Sequence, residues 1–137
     1  MVILFTTMEI RTANTIVYCA KWKETVDFYK NQLQLRVITA LDWFVEFELT
    51  ATARLSIADV SRTSQEACCG KGITLAMEVE DIAACHAFFE TAGLHPPRIR
   101  DHAWGAYVLY IHDPEGNRLE FWSPKKMSGE VTGAAAV

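Results

Sequence analysis

Glu120 is the side chain with the most chemistry open to it. It lies in the run His112-Asp113-Pro114-Glu115-Gly116-Asn117-Arg118-Leu119-Glu120-Phe121-Trp122, whose last residues alternate as a strand. Alternation puts Arg118, Glu120 and Trp122 on one side, with Val108 and Tyr110 beside them on the neighbouring strand. Asn14, Ile16 and Tyr18, from an earlier strand, face the same space. A carboxylate among aromatic rings suits capture of an amphipathic cationic or a planar ligand. With Tyr110 as its partner, the same carboxylate has the makings of a general acid or base. A third account keeps Glu120 silent, satisfied by Arg118 or by backbone donors. Trp43 and Trp104 adjoin strand ends, where ligand contact and core packing are both open.

Other reactive side chains offer less. His86, His95, His102 and His112 never pair on one face of one element, so they read as surface or turn residues. Glu46 and Glu48 share a strand face and read as solvated charge. Cys19, Cys68, Cys69 and Cys85 form no Cys-x-x-Cys pair, and the vicinal Cys68-Cys69 cannot bridge without strain. They read as thiols in a reducing compartment.

The elements that must position Glu120 occur twice. Val26-Asp27-Phe28-Tyr29 aligns with His86-Ala87-Phe88-Phe89, and the strand-like run from Asn14 aligns with the run from Thr74. In the first copy, a strand over 14–20 precedes an amphipathic helix carrying Trp22, Val26, Tyr29 and Leu33. Strands over 35–41, 43–49 and 54–60 follow. The second copy repeats the order. A strand over 73–79 leads to Asp81 as N-cap, then to a helix with Ile82, Cys85, Phe89 and Ala92 that ends at Gly93. Strands over 99–101, 106–111 and 118–122 complete it, the last two joined by a turn at Asp113-Pro114-Glu115-Gly116. Two βαβββ modules are expected, an α+β fold with curled mixed sheets around a cavity. The boundaries are an extension over 1–13, modules over 14–60 and 73–123, a linker over 61–72 and a C-terminal tail over 124–137, expected to be mobile from Gly129.

Composition narrows the function. Half of the 137 residues are hydrophobic, enough for a core without disulfides or a structural metal. A net charge of −4 argues against nucleic acid or an anionic membrane as the main partner. No apolar run approaches the ~20 residues that span a bilayer. Met1 to Phe5 is too short for a secretory signal, so a cytoplasmic location is expected.

The Val26-x-Phe28-Tyr29 helix with Leu33-x-Leu35, together with Asp113-Pro114-Glu115-Gly116-Asn117-x-x-Glu120, resembles the vicinal oxygen chelate superfamily over Asn14 to Ser123. That superfamily includes glyoxalases, fosfomycin-resistance proteins, extradiol dioxygenases and bleomycin-resistance proteins. The resemblance implies a divalent metal at positions that are here Asn14, Ser56, Thr74 and Glu120, of which only Glu120 is a good ligand. It also implies that Tyr110 lines the cavity. The expectation is therefore a metal-independent binder of a small organic molecule, an antibiotic or drug among them, without cofactor and without established catalysis. It is similar to the bleomycin-resistance branch, whose homodimers bind ligands between chains. The alternative is a glyoxalase- or dioxygenase-type metalloenzyme that uses Glu120 with unorthodox ligands.

Overall fold

The computed structural model describes residues 7–125. The first module runs β1 (Ala13–Cys19), α1 (Trp22–Asp27), a π-helical turn (Phe28–Gln32), β2 (Val37–Ala40), β3 (Phe44–Thr50) and β4 (Ala53–Asp59). A short 3-10 turn (Val60–Arg62) leads into the linker. The second module runs β5 (Thr74–Glu78), α2 (Ile82–Thr91), β6 (Arg100–His102), β7 (Ala106–His112) and β8 (Arg118–Pro124). The sheet orders are β1-β4-β3-β2 and β5-β8-β7-β6, so both modules share one topology. In each, the first strand runs parallel to the last and the other pairings are antiparallel. Residues 1–6 of the expected extension and 126–137 of the expected tail lie outside the described residues.

One face of each sheet carries a helix. α1 packs on β1 and β4, and α2 on β7 and β8. Alternate strand residues point into this layer: Val17, Val45, Phe47, Leu55 and Ile57 from the first sheet, Leu109, Ile111, Leu119 and Phe121 from the second. With Phe28, Tyr29, Ile82 and Phe89 they form one continuous core across both modules. Each fully buried side chain of this size contributes about 1.5–3 kcal/mol. The core leaves the opposite face of each sheet without a helix.

Local chemistry explains the helix ends. Asp81 accepts a hydrogen bond from the Ala84 amide at 3.1 Å, as an N-cap should. At the other end, Gly93 (φ +79°) lets Leu94 N–H reach Phe89 C=O, which closes a Schellman cap. The first helix departs from the sequence expectation of a single α-helix through Leu33. After Asp27 it widens into the π turn, with Leu33 N–H donating to Phe28 C=O. This turn sets both Phe28 and Tyr29 into the core, edge to face at 5.0 Å. The spacing of Trp22, Val26, Tyr29 and Leu33 does not distinguish the two forms.

Candidate ligand-binding site

Strand register arranges the helix-free face of the second sheet in rows. His112, Arg118 and Thr74 form one row across β7, β8 and β5; Tyr110, Glu120 and Ala76 form the next. Arg100, Val108, Trp122 and Glu78 form the third, with β6 joining. Aromatic rings converge on it. Trp104 lies 6.2 Å from Trp122 and 5.8 Å from His102, and His102 lies 6.5 Å from Tyr110. The guanidinium groups of Arg118 and Arg100 sit 5.0 and 5.8 Å from the Tyr110 ring centroid. Burial, then the charge of Glu120, raises the Tyr110 hydroxyl above its usual pKa, and the two arginines oppose that rise. Val108, at the floor, is fully buried, whereas Trp104 is 49% exposed.

The first sheet repeats the pattern with other side chains. Asn14, Arg54 and Glu48 share a row, as do Ile16, Ser56 and Glu46, and then Tyr18, Ala58 and Phe44. Here polar groups pair off internally. Ser56 Oγ donates to Asn14 Oδ1 at 2.8 Å, and Arg54 pairs with Glu46 at 3.6 Å. Glu48 pairs with Arg36 at 3.0 Å, so both carboxylates expected to be merely solvated are in fact ion-paired. Trp43 is half-buried against Phe44, apart from the rings of the second sheet.

The structure thus gathers Glu120, Tyr110, Trp104 and Trp122 on one face, with Thr74 at its end. It places Asn14, Ser56 and Tyr18 together on the other sheet. Sequence reasoning missed His102 and Arg100. His102, read from sequence as a surface or turn residue, is the last residue of β6, and its Nε2 is buried with no hydrogen-bond partner among the described residues. The alternation of Arg100 with His102 ahead of a strand was the available signal.

The modules are joined by the turn before β8. Asp113 accepts from Tyr29 Oη at 2.7 Å and from the Glu115 and Asn117 amides and Asn117 Nδ2. Glu115 accepts from the amides of Ala20 and Lys21 at 3.0 and 2.8 Å, at the start of α1. Lys21, the N-cap, supplies no side-chain cap of its own. A carboxylate from the second module therefore caps the helix of the first, suited to the positive end of the helix dipole. Among the described residues, every side-chain hydrogen bond between the modules ends on Asp113 or Glu115.

The sequence family described as a glyoxalase-like domain matches residues 12–125, nearly the whole described chain. The chain belongs to this glyoxalase-like family. It is thereby a member of the vicinal oxygen chelate superfamily. The fold agrees. A glyoxalase/bleomycin resistance protein/dioxygenase from Nocardioides is similar at a TM-score of 0.70 and 16% identity, covering 94% of this chain and 93% of that one. A lactoylglutathione lyase from Agrobacterium tumefaciens is similar at a TM-score of 0.66 and 20% identity, over 81% and 91% of the chains. A glyoxalase/bleomycin resistance protein from Catenulispora acidiphila is similar at 0.66 and 17% identity, over 82% and 96%. No curated protein matches by sequence.

Metal chemistry tests the glyoxalase-like chain at Asn14, Ser56, Thr74 and Glu120. These positions supply one carboxylate, one amide and two hydroxyls. The amide oxygen already accepts from Ser56, and Thr74 Oγ1 accepts from Arg118 Nε at 2.9 Å. That contact brings a permanent cation into the row beside Glu120, where a divalent ion would be repelled. No group of three or more His, Cys, Asp or Glu able to hold a metal occurs among the described residues. The donor set does not fit the superfamily's metal. Nor is any helix among the described residues long and apolar enough to cross a membrane.

Proposed function

We propose that this chain binds a small planar organic molecule, such as an antibiotic or other drug, without help from a metal. The observation that carries this is the convergence of His102, Trp104, Tyr110 and Trp122 beside Glu120 on a face that no helix covers. Aromatic walls with a few fixed polar groups are what small-molecule sites require. The bleomycin-resistance name borne by two of the similar structures points the same way. The functional unit is the pair of modules, 14–60 and 73–123, bridged by 61–72. Two copies pair in the cytoplasm, with the helix-free faces, where Ile16 is 40% exposed, turned toward the ligand.

Native mass spectrometry with nickel, zinc or manganese present tests this reading. A dimer mass with no stoichiometric metal adduct is expected. A one-to-one adduct that Glu120→Ala removes would overturn it and restore the metalloenzyme. One observation favours a second reading, a metal-free enzyme: Tyr110 lies directly across from Glu120 in the β-ladder. Product formed from bound ligand and lost in Glu120→Gln would replace binding with catalysis.

A further inference from the structure

The charge of the ligand is written at one end of the second sheet. Where β5 and β8 begin, an open depression of about 440 Å³ is lined by Gly70, Gly72, Thr74, His112, Gly116 and Arg118. Arg118 is held on two sides. Its Nε donates to Thr74 Oγ1, and its guanidinium lies over the Tyr110 ring. Its two terminal nitrogens have no hydrogen-bond partner among the described residues. A guanidinium fixed in this way, with its fork free, is a ready donor to a carboxylate or phosphate. Nothing lies within 4 Å of the point where a side chain would begin at Gly72, so the loop leaves room for an anion.

Glu120 alone would favour a cation, but its surroundings do not. Arg118 and Arg100 both flank Tyr110, the residue directly across from Glu120, so a cationic ligand there would meet two guanidinium groups. An anion at the Arg118 end meets the opposite field, beside the aromatic cluster of His102, Trp104, Tyr110 and Trp122.

We infer that the ligand is an aromatic acid whose ring lies against His102 and the Trp104–Trp122 pair and whose acidic group is held by the free fork of Arg118. The inference rests on the small-molecule binding reading and adds the class of ligand. The test uses the full chain and three probes that share one ring system: naphthoate, naphthamide and naphthylmethylammonium. Binding is followed by the NMR shifts of the Trp indole N–H signals. Naphthoate should bind about 10- to 100-fold more tightly than naphthamide, the size of a charge-assisted hydrogen-bond pair. Arg118→Gln should abolish most of the preference for naphthoate over naphthamide, while Arg118→Lys restores part of it. Arg118 is exposed, so both variants should remain folded, with a cooperative thermal transition by circular dichroism. Equal affinities for acid and amide, or tightest binding of the ammonium, would overturn the aromatic-acid assignment and leave small-molecule binding standing. Unmoved indole signals with all three probes would overturn both.

Discussion

Cys19 is wholly buried, and its thiol is pushed up to about 12 by that burial first, then by the charges of Glu115 and Asp113. In the unfolded chain the same thiol ionises near 9.0. Between these values the unfolded state gives up the proton and the folded state keeps it. Stability from this residue is therefore intact below pH 9 and is lost as pH climbs toward 12, at up to about 1.4 kcal/mol per pH unit. Tyr29 is raised in the same direction by burial and by Asp113, so the parent protein weakens further in alkali. Cys19→Ala removes one of these slopes. Its stability deficit, measured by urea unfolding at pH 8 and again at pH 10.5, should shrink by about 2 kcal/mol. A deficit that stays constant across that interval would show that Cys19 does not hold its proton as described.

At the scale of elements, the start of α1 depends on a residue from the other module. Glu115→Ala leaves the Ala20 and Lys21 amides without their acceptor and should cost about 1–2 kcal/mol, with faster hydrogen exchange confined to the first turn of α1. Glu115→Gln keeps one acceptor oxygen and should cost less. Equal losses in both variants would mean that the carboxylate acts through its charge alone. The turn that holds Glu115 was legible in the sequence, because Pro114 and Gly116 occupy positions that only a turn explains. Its partners were not. Tyr29 and Lys21 lie far upstream, and no local pattern links them to a turn in the second copy. Repetition revealed both modules and the order of their elements along the chain, though not the order of strands within each sheet. The open face was legible only in part: alternation placed Glu120, Arg118 and Trp122 together, whereas the cross-strand approach of His102 and Arg100 depends on register, which a single strand does not encode.

At the scale of the whole molecule, the two modules are not two domains. Their helix-bearing layers share one core, in which Phe28, Tyr29 and Phe47 of the first module join Phe89, Leu119 and Phe121 of the second. A fragment ending at residue 72 should therefore show no cooperative thermal transition by circular dichroism, and mixing it with a fragment starting at residue 73 should restore one. A sharp transition in the first fragment alone would show that its half of the core suffices.

The clamp at Asp113 and Glu115 also imposes an order in time. Glu115 follows Lys21 by 94 positions and Asp113 follows Tyr29 by 84. At ~5–20 residues per second on the ribosome, Lys21 and Tyr29 wait roughly 5–20 s for the groups that complete their contacts. Throughout that interval its first helix is uncapped and the Tyr29 hydroxyl has no acceptor. The nascent first half thus stays incomplete until the last hairpin emerges, and the second half to be synthesised acts as the lock on the first.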